Sequence, residues 1–164
     1  MNASIPRFAV EGELDVVTIG TLHTEAGAEI PEAVIAYQHW GAFAGDPDGI
    51  NNVILLEHAL TGDSNAADWW CEVIGPGKAL DTNHWCVVAA NVVGGCKGST
   101  GPASEHPDGG AWGSRFPAIS IRDQVQAEKQ FLEALGLQHV HAVIGGSMGG
   151  ARTLEWTLMY PEWV

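Results

Sequence analysis

The stretch "VIGGSMGGA", residues 143–151, constrains this chain more than any other. An apolar run gives way to four glycines around one serine. A helix-forming segment, "ARTLEWTLMY", follows until Pro161 stops it. Glycine weakens helices and strands, so four of them at a strand-to-helix handover need a reason. Three arrangements use such a turn: close strand–helix packing, an anion cradle, or a strained turn that presents a nucleophile. The cradle patterns G-x-x-x-x-G-K-[ST] and G-x-G-x-x-G are not present in frame. Gly145-Gly146-Ser147-Met148-Gly149 matches G-x-S-x-G between a strand and a helix. In such a turn Gly145 and Gly149 remove side chains that would collide. The helix N-terminus then favours negative charge developing at the serine. Ser147 is therefore expected as a nucleophile, held up by the glycines at 145, 146, 149 and 150.

The surrounding pattern supplies a fold for that turn. "NVILLE" (52–57) and "HWCVVAA" (84–90) are short, continuous apolar runs, as in buried central strands. "HVHAVIGG" (139–146) reads as a third buried strand. Ser120 with Asp123 is a helix-cap signature, and Ile121, Val125, Ala127, Phe131, Leu132 and Leu135 make an apolar helix face. Gly136 is placed to end that helix. Two earlier strands, 16–22 and 34–39, are joined by a turn containing Gly27 and Pro31 and are expected to pair antiparallel at one edge. From residue 51 the order is strand, loop, strand, long loop, helix, strand, helix. That order predicts an α/β fold, a mostly parallel sheet with helices on both faces. Residues 94–117, dense in Gly, Pro and Ser, read either as a linker or as an ordered loop lining the approach to Ser147.

Composition removes other classes. The 164 residues suffice for one domain with a core. Twenty acidic residues against seven basic ones give a formal charge of −13, which argues against nucleic acid or an anionic membrane as partner. No apolar run reaches the roughly 18 residues of a membrane span. The opening "MNASIPRFAVEGELDV" lacks the basic and apolar regions of a leader peptide. Cys71, Cys86 and Cys96 are odd in number and lack metal-site spacing, so reduced thiols in a cytoplasm are expected and no metal site is.

"HALTG" (58–62) follows the first buried strand. An α/β-hydrolase takes one oxyanion-hole N–H from the residue after the nucleophile and one from a loop after an earlier strand. Those donors would be the backbone N–H groups of Met148 and Leu60. His58 is expected to pack or hydrogen-bond within its loop rather than act as a base. Arg152 is expected on a helix flank.

Together "HALTGDS", "GPGKALDT", "NVVGGCKGSTGP", "SIRDQV" and "GGSMGGARTLEW", continuing into "LMYPE", resemble the homoserine O-acetyltransferase family of α/β-hydrolase-fold acyltransferases. The likeness runs from about residue 7 to the last residue. It implies acetyl transfer from acetyl-CoA to the hydroxyl of L-homoserine, on the way to methionine, by a ping-pong route through an acyl-serine. It also implies a cytoplasmic homodimer with a helical lid, acetyl-CoA as co-substrate, no permanently bound cofactor and no metal. Ser147 falls on the family's nucleophile, and Leu60 and Met148 on its oxyanion donors.

The chain departs from that pattern at one point. The triad of this fold runs Ser, then Asp or Glu, then His. All seven histidines here precede Ser147, and Glu155 and Glu162 are the only acids after it. The expectation is that residues 1–164 are the N-terminal portion of one α/β-hydrolase domain. The lid, triad acid and histidine would then lie outside it, and the piece would have little activity alone. Three alternatives remain open. One is a serine esterase, which would lack the "GGCKGSTGP" and "SIRDQV" blocks. Another is a succinyl donor or a serine acceptor within the family. The last is a non-catalytic binding fragment.

Overall fold

The computed structural model describes residues 6–164, so the leader-peptide reading begins on residues outside those described. Five strands form one sheet in the order β1-β2-β4-β3-β5. β1 (Asp15–His23) and β2 (Glu29–Trp40) form the antiparallel hairpin expected at one edge. β2 joins β4 (Cys86–Ala90) antiparallel, while β3 (Val53–Glu57) lies parallel between β4 and β5 (Ala142–Gly145).

Alternation along the central strands divides the interior. Val53, Leu55, Cys86 and Val88 face one core, with Val125, Phe131 and Leu132 of α2 (Ile121–Leu135) and Trp156 of α3 (Met148–Met159). Ile54, Leu56, Val87 and Ala89 face the other core, with Ala66, Ile74, Leu80 and the half-buried Trp69 and Trp70. That second face differs from expectation. Its cover is the one-turn helix α1 (Ala66–Trp69) and irregular chain rather than a long helix.

Two further differences have local causes. Pro31 belongs to β2 and not to the turn. The register against β1 shifts beside it, and Glu32 takes φ 47°, so a residue without an N–H is accommodated at an irregular step in the ladder. β5, expected to be buried, is half-buried along its whole length, because among the described residues only β3 pairs with it.

α2 follows its sequence signals. Ser120 accepts a hydrogen bond from Asp123 N, Asp123 accepts one from Ser120 N, and Gly136 closes the helix at φ 91°. The glycine-rich 94–117 segment is tied to the sheet. Val34 N donates to Thr100 Oγ1 at 2.8 Å and Ala36 N to Ser99 Oγ at 2.9 Å, so it is an ordered loop and not a linker.

Candidate active site

The C-terminal ends of β3 and β5 are adjacent, with Glu57 in register with Gly145. Ligands of open α/β sheets bind outside such strand ends. Ser147 stands there at the N-terminus of α3 with φ 58° and ψ −124°. Among the described residues, Glu32 and Ser147 alone combine a side chain with positive φ. A conformation of this kind costs about 1–3 kcal/mol and persists only where the surroundings enforce it. The Ser147 hydroxyl does not cap the helix it begins, and the residue is exposed.

The enforcing contacts come from two of the four glycines. A Cβ on Gly145 would lie 2.6 Å from the backbone C and O of Gly149. A Cβ on Gly149 would lie 2.0 Å from Glu57 O and 2.9 Å from His58 O. The turn and the first turn of α3 are thus pressed onto the end of β3, at a distance that no side chain permits. Gly146 has open space and Gly150 only ordinary contact with Gly145 O, so the expectation that all four glycines are needed is corrected to these two.

Leu60 and Met148 line one cleft of about 380 Å³, together with Val92, Gly95, Phe116 and Ile119. Among the described residues neither the Leu60 nor the Met148 N–H donates to a protein acceptor. The two residues with free backbone N–H groups thus line one mostly apolar cleft, and Met148 directly follows Ser147 in the chain. Phe116, Pro102 and Gly113 of the glycine-rich loop line this cleft with Met148, the residue after Ser147. Leu60 is itself 76% exposed, a large apolar side chain offered to whatever enters. A second cavity of about 300 Å³ shares Leu60, Val92 and Gly95 with the first and is bounded also by His58, Asn91, Cys96 and Lys97.

His58 is 3% exposed and its Nδ1 lies 2.7 Å from Ala59 O, as the loop reading expected. Burial lowers its pKa, which favours the neutral ring with Nδ1–H as donor. Cys86 is buried and its thiol is pushed up to about 12 by burial, which leaves it unreactive.

Arg152 is not on a helix flank. It is fully buried, because one face of α3 packs on both α2 and the end of β3. Its Nη1 contacts Glu57 Oε2 at 2.5 Å and also Glu128 Oε1, while Nη2 donates to His58 O at 2.7 Å. Glu128 Oε2 accepts from Trp156 Nε1 at 3.1 Å. Burial, and then the neighbouring Glu128, hold the Glu57 carboxyl well above the usual carboxylate range against the opposing pull of Arg152. The sequence contained one sign of this cluster. The spacing Val125, Glu128, Leu132, Leu135 places an acid on the buried face of α2.

A strand, a strained serine turn and a helix, with a second free N–H from an earlier strand's loop, define a class. The chain belongs to the alpha/beta hydrolase fold family, whose model matches residues 52–164. Within that class it is 64% identical to a homoserine O-acetyltransferase of Corynebacterium efficiens, over 96% of this chain and 42% of the relative. A solved homoserine O-acetyltransferase from Bacillus anthracis superimposes with TM-score 0.82 at 27% identity, over 93% of this chain and 44% of that one. An acetylester hydrolase from Corynebacterium glutamicum superimposes with TM-score 0.81 at 31% identity, over 94% of this chain and 43% of that one. The chain thus spans about two fifths of the length of the curated relatives it matches.

Proposed function

We propose that Ser147 is the acyl-carrying nucleophile of a homoserine O-acetyltransferase, and that residues 1–164 are the N-terminal portion of its α/β-hydrolase domain. The observation that carries this reading is the elbow. Ser147 is held at positive φ with its hydroxyl uncommitted, and Leu60 and Met148, each with a free N–H, line the adjoining cleft. The 64% identity to the Corynebacterium efficiens acetyltransferase supports the choice of substrates.

The Ser147 oxygen attacks the thioester carbonyl of acetyl-CoA and gives its proton to a base. The carbonyl oxygen becomes an oxyanion that accepts hydrogen bonds from Leu60 N and Met148 N, worth about 3–4 kcal/mol for one such donor. Collapse expels CoA as its thiol, the proton returning from the base. The L-homoserine hydroxyl then attacks the acyl-serine, loses its proton to the same base, and leaves as the O-acetyl ester while Ser147 regains a proton. Nothing in these steps requires a metal or a resident cofactor; acetyl-CoA is a substrate. In this reading the histidine base, its acid and a water-excluding lid lie outside these residues, and the enzyme is a cytoplasmic homodimer.

The test is acetyl trapping. The full-length protein is mixed with acetyl-CoA without an acceptor, quenched and digested. One acetyl group on the peptide bearing Ser147, with one equivalent of CoA released, is the expected result. An unmodified Ser147, or an acetyl group that persists in Ser147→Ala, overturns the assignment. A second reading, an acetyl esterase, is favoured by the superposition on the acetylester hydrolase. Discharge of the trapped acetyl group decides between them: faster with L-homoserine than with water for a transferase, indifferent to L-homoserine for an esterase.

A further inference from the structure

We propose that Arg152 and His58 are positioning residues for acyl transfer at Ser147, which together set the direction of the Leu60 N–H. The inference rests on the reading of Ser147 as nucleophile and adds a mechanism for aligning its oxyanion donor.

The geometry runs through one peptide unit. The Ala59 carbonyl and the Leu60 N–H belong to the same planar trans amide, so they point in opposite directions. Ala59 O is held twice, by His58 Nδ1 at 2.7 Å and by Gly62 N at 2.9 Å. With that oxygen fixed toward the loop interior, the Leu60 N–H is turned the other way and has no protein acceptor among the described residues. The preceding peptide is fixed as well, because His58 O accepts from Arg152 Nη2 at 2.7 Å. Arg152 sits on α3, the helix that begins at Ser147 and Met148, and its other nitrogen is seated between Glu57 of β3 and Glu128 of α2. One guanidinium therefore ties the loop bearing the first oxyanion donor to the helix bearing the second.

A purely structural role does not require this chemistry. Burying an ion cluster is costly, and well-packed apolar side chains often fill such a space with equal or better stability. A planar guanidinium supplies what they lack: several donors in a fixed fork, reaching two carboxyls and a carbonyl at once. Donors aimed in advance at the developing oxyanion act on the transition state and not on the bound substrate. The low pKa of buried His58 is consistent, since the neutral ring keeps one N–H for Ala59 O.

The test uses the full-length protein and two readouts: the rate at which a p-nitrophenyl alkylphosphonate labels Ser147, and kcat and KM for acetyl-CoA. Arg152→Lys keeps a charge between the two carboxyls but cannot also hold His58 O. The expected result is a fall of about 10- to 100-fold in labelling rate and kcat. KM should stay within about twofold, and Tm should move by only a few degrees. His58→Leu should fall similarly, and His58→Asn, whose amide N–H stands near the place of Nδ1–H, should recover most of the rate. The histidine pair reports even if the lysine variant does not fold. A folded Arg152→Lys or His58→Leu protein labelled at the parent rate overturns the proposal, as does a loss seen only in KM. If the parent protein itself is not labelled at Ser147, the nucleophile reading fails, and this inference fails with it.

Discussion

Ser120 and Ser147 both stand at the N-terminus of a helix, and they are used in opposite ways. Ser120 has an ordinary extended backbone, φ −85° and ψ 169°, and its hydroxyl accepts from Asp123 N in a reciprocal capping box. Ser147 has φ 58° and ψ −124°, and its hydroxyl caps nothing. The first satisfies a free N–H and stabilises α2. The second leaves the Met148 N–H at the start of α3 open and costs backbone strain. A helix start can serve the fold or serve a ligand, and backbone conformation distinguishes the two where residue type does not.

The contrast breaks most completely at Gly149. Ser147 is held at positive φ because α3 lies against the end of β3, and a Cβ at 149 would meet Glu57 O at 2.0 Å. Backbone lies on both sides, so the clash cannot be relieved by a side chain moving aside. Gly149→Ala is expected to destabilise the protein by more than about 3 kcal/mol, since overpacking costs about 1–3 kcal/mol where side chains can adjust. Gly146→Ala, with nothing within 4 Å, should stay within about 1 kcal/mol of the parent, and helix propensity makes no larger claim there. Urea unfolding of both variants measures the difference. Equal midpoints would mean that the elbow is not held by the β3 contact.

Substitutions at the two serines sharpen the comparison at smaller magnitude and with opposite sign. Ser120→Ala removes a cap and should cost about 1 kcal/mol. Ser147→Gly relieves a strain of about 1–3 kcal/mol against about 0.5–1 kcal/mol of added unfolded-state freedom, so it should stabilise by about 1 kcal/mol. Thermal or urea denaturation reads both. A destabilised Ser147→Gly protein would show that the serine contributes packing or a hydrogen bond that outweighs its strain.

What could be read from the sequence follows the range of the physics behind each feature. The Ser120–Asp123 box, the Gly136 stop and the G-x-S-x-G turn are decided within a few residues, and all appear where the letters place them. The antiparallel edge and the parallel centre follow from the order of elements. Features that depend on distant partners were not legible. Pro31 looks like a turn residue, yet it lies at a register shift that only the pairing with β1 creates. Continuous apolar letters made β5 look like its central neighbours, but burial depends on what pairs with its outer edge. The serine and its candidate donors were found through a local motif and a resemblance. The Arg152 cluster was missed because it assembles from β3, α2 and α3, far apart in the chain.

The smallest expected effect concerns how the two helices are joined. α2 and α3 share two ion pairs: Arg152 with Glu128, fully buried, and Arg122 Nε with Glu155 Oε1 at 2.9 Å, where the arginine side chain is half exposed. Arg122 also reaches Glu25 at 3.5 Å, so it bridges two acids at the surface, as Arg152 does inside. Water screens the outer pair and leaves each long side chain other favourable places to go. Such pairs contribute about 0.2–1 kcal/mol, and salt weakens them further. Arg122→Ala should therefore lower stability by less than about 1 kcal/mol, and raising the salt concentration should shrink the difference from the parent. Ser147 reactivity should not change, because nothing on this pair touches the 58–62 loop. A larger loss that persists in high salt would show that the surface pair, and not only the buried arginine, holds α2 against α3.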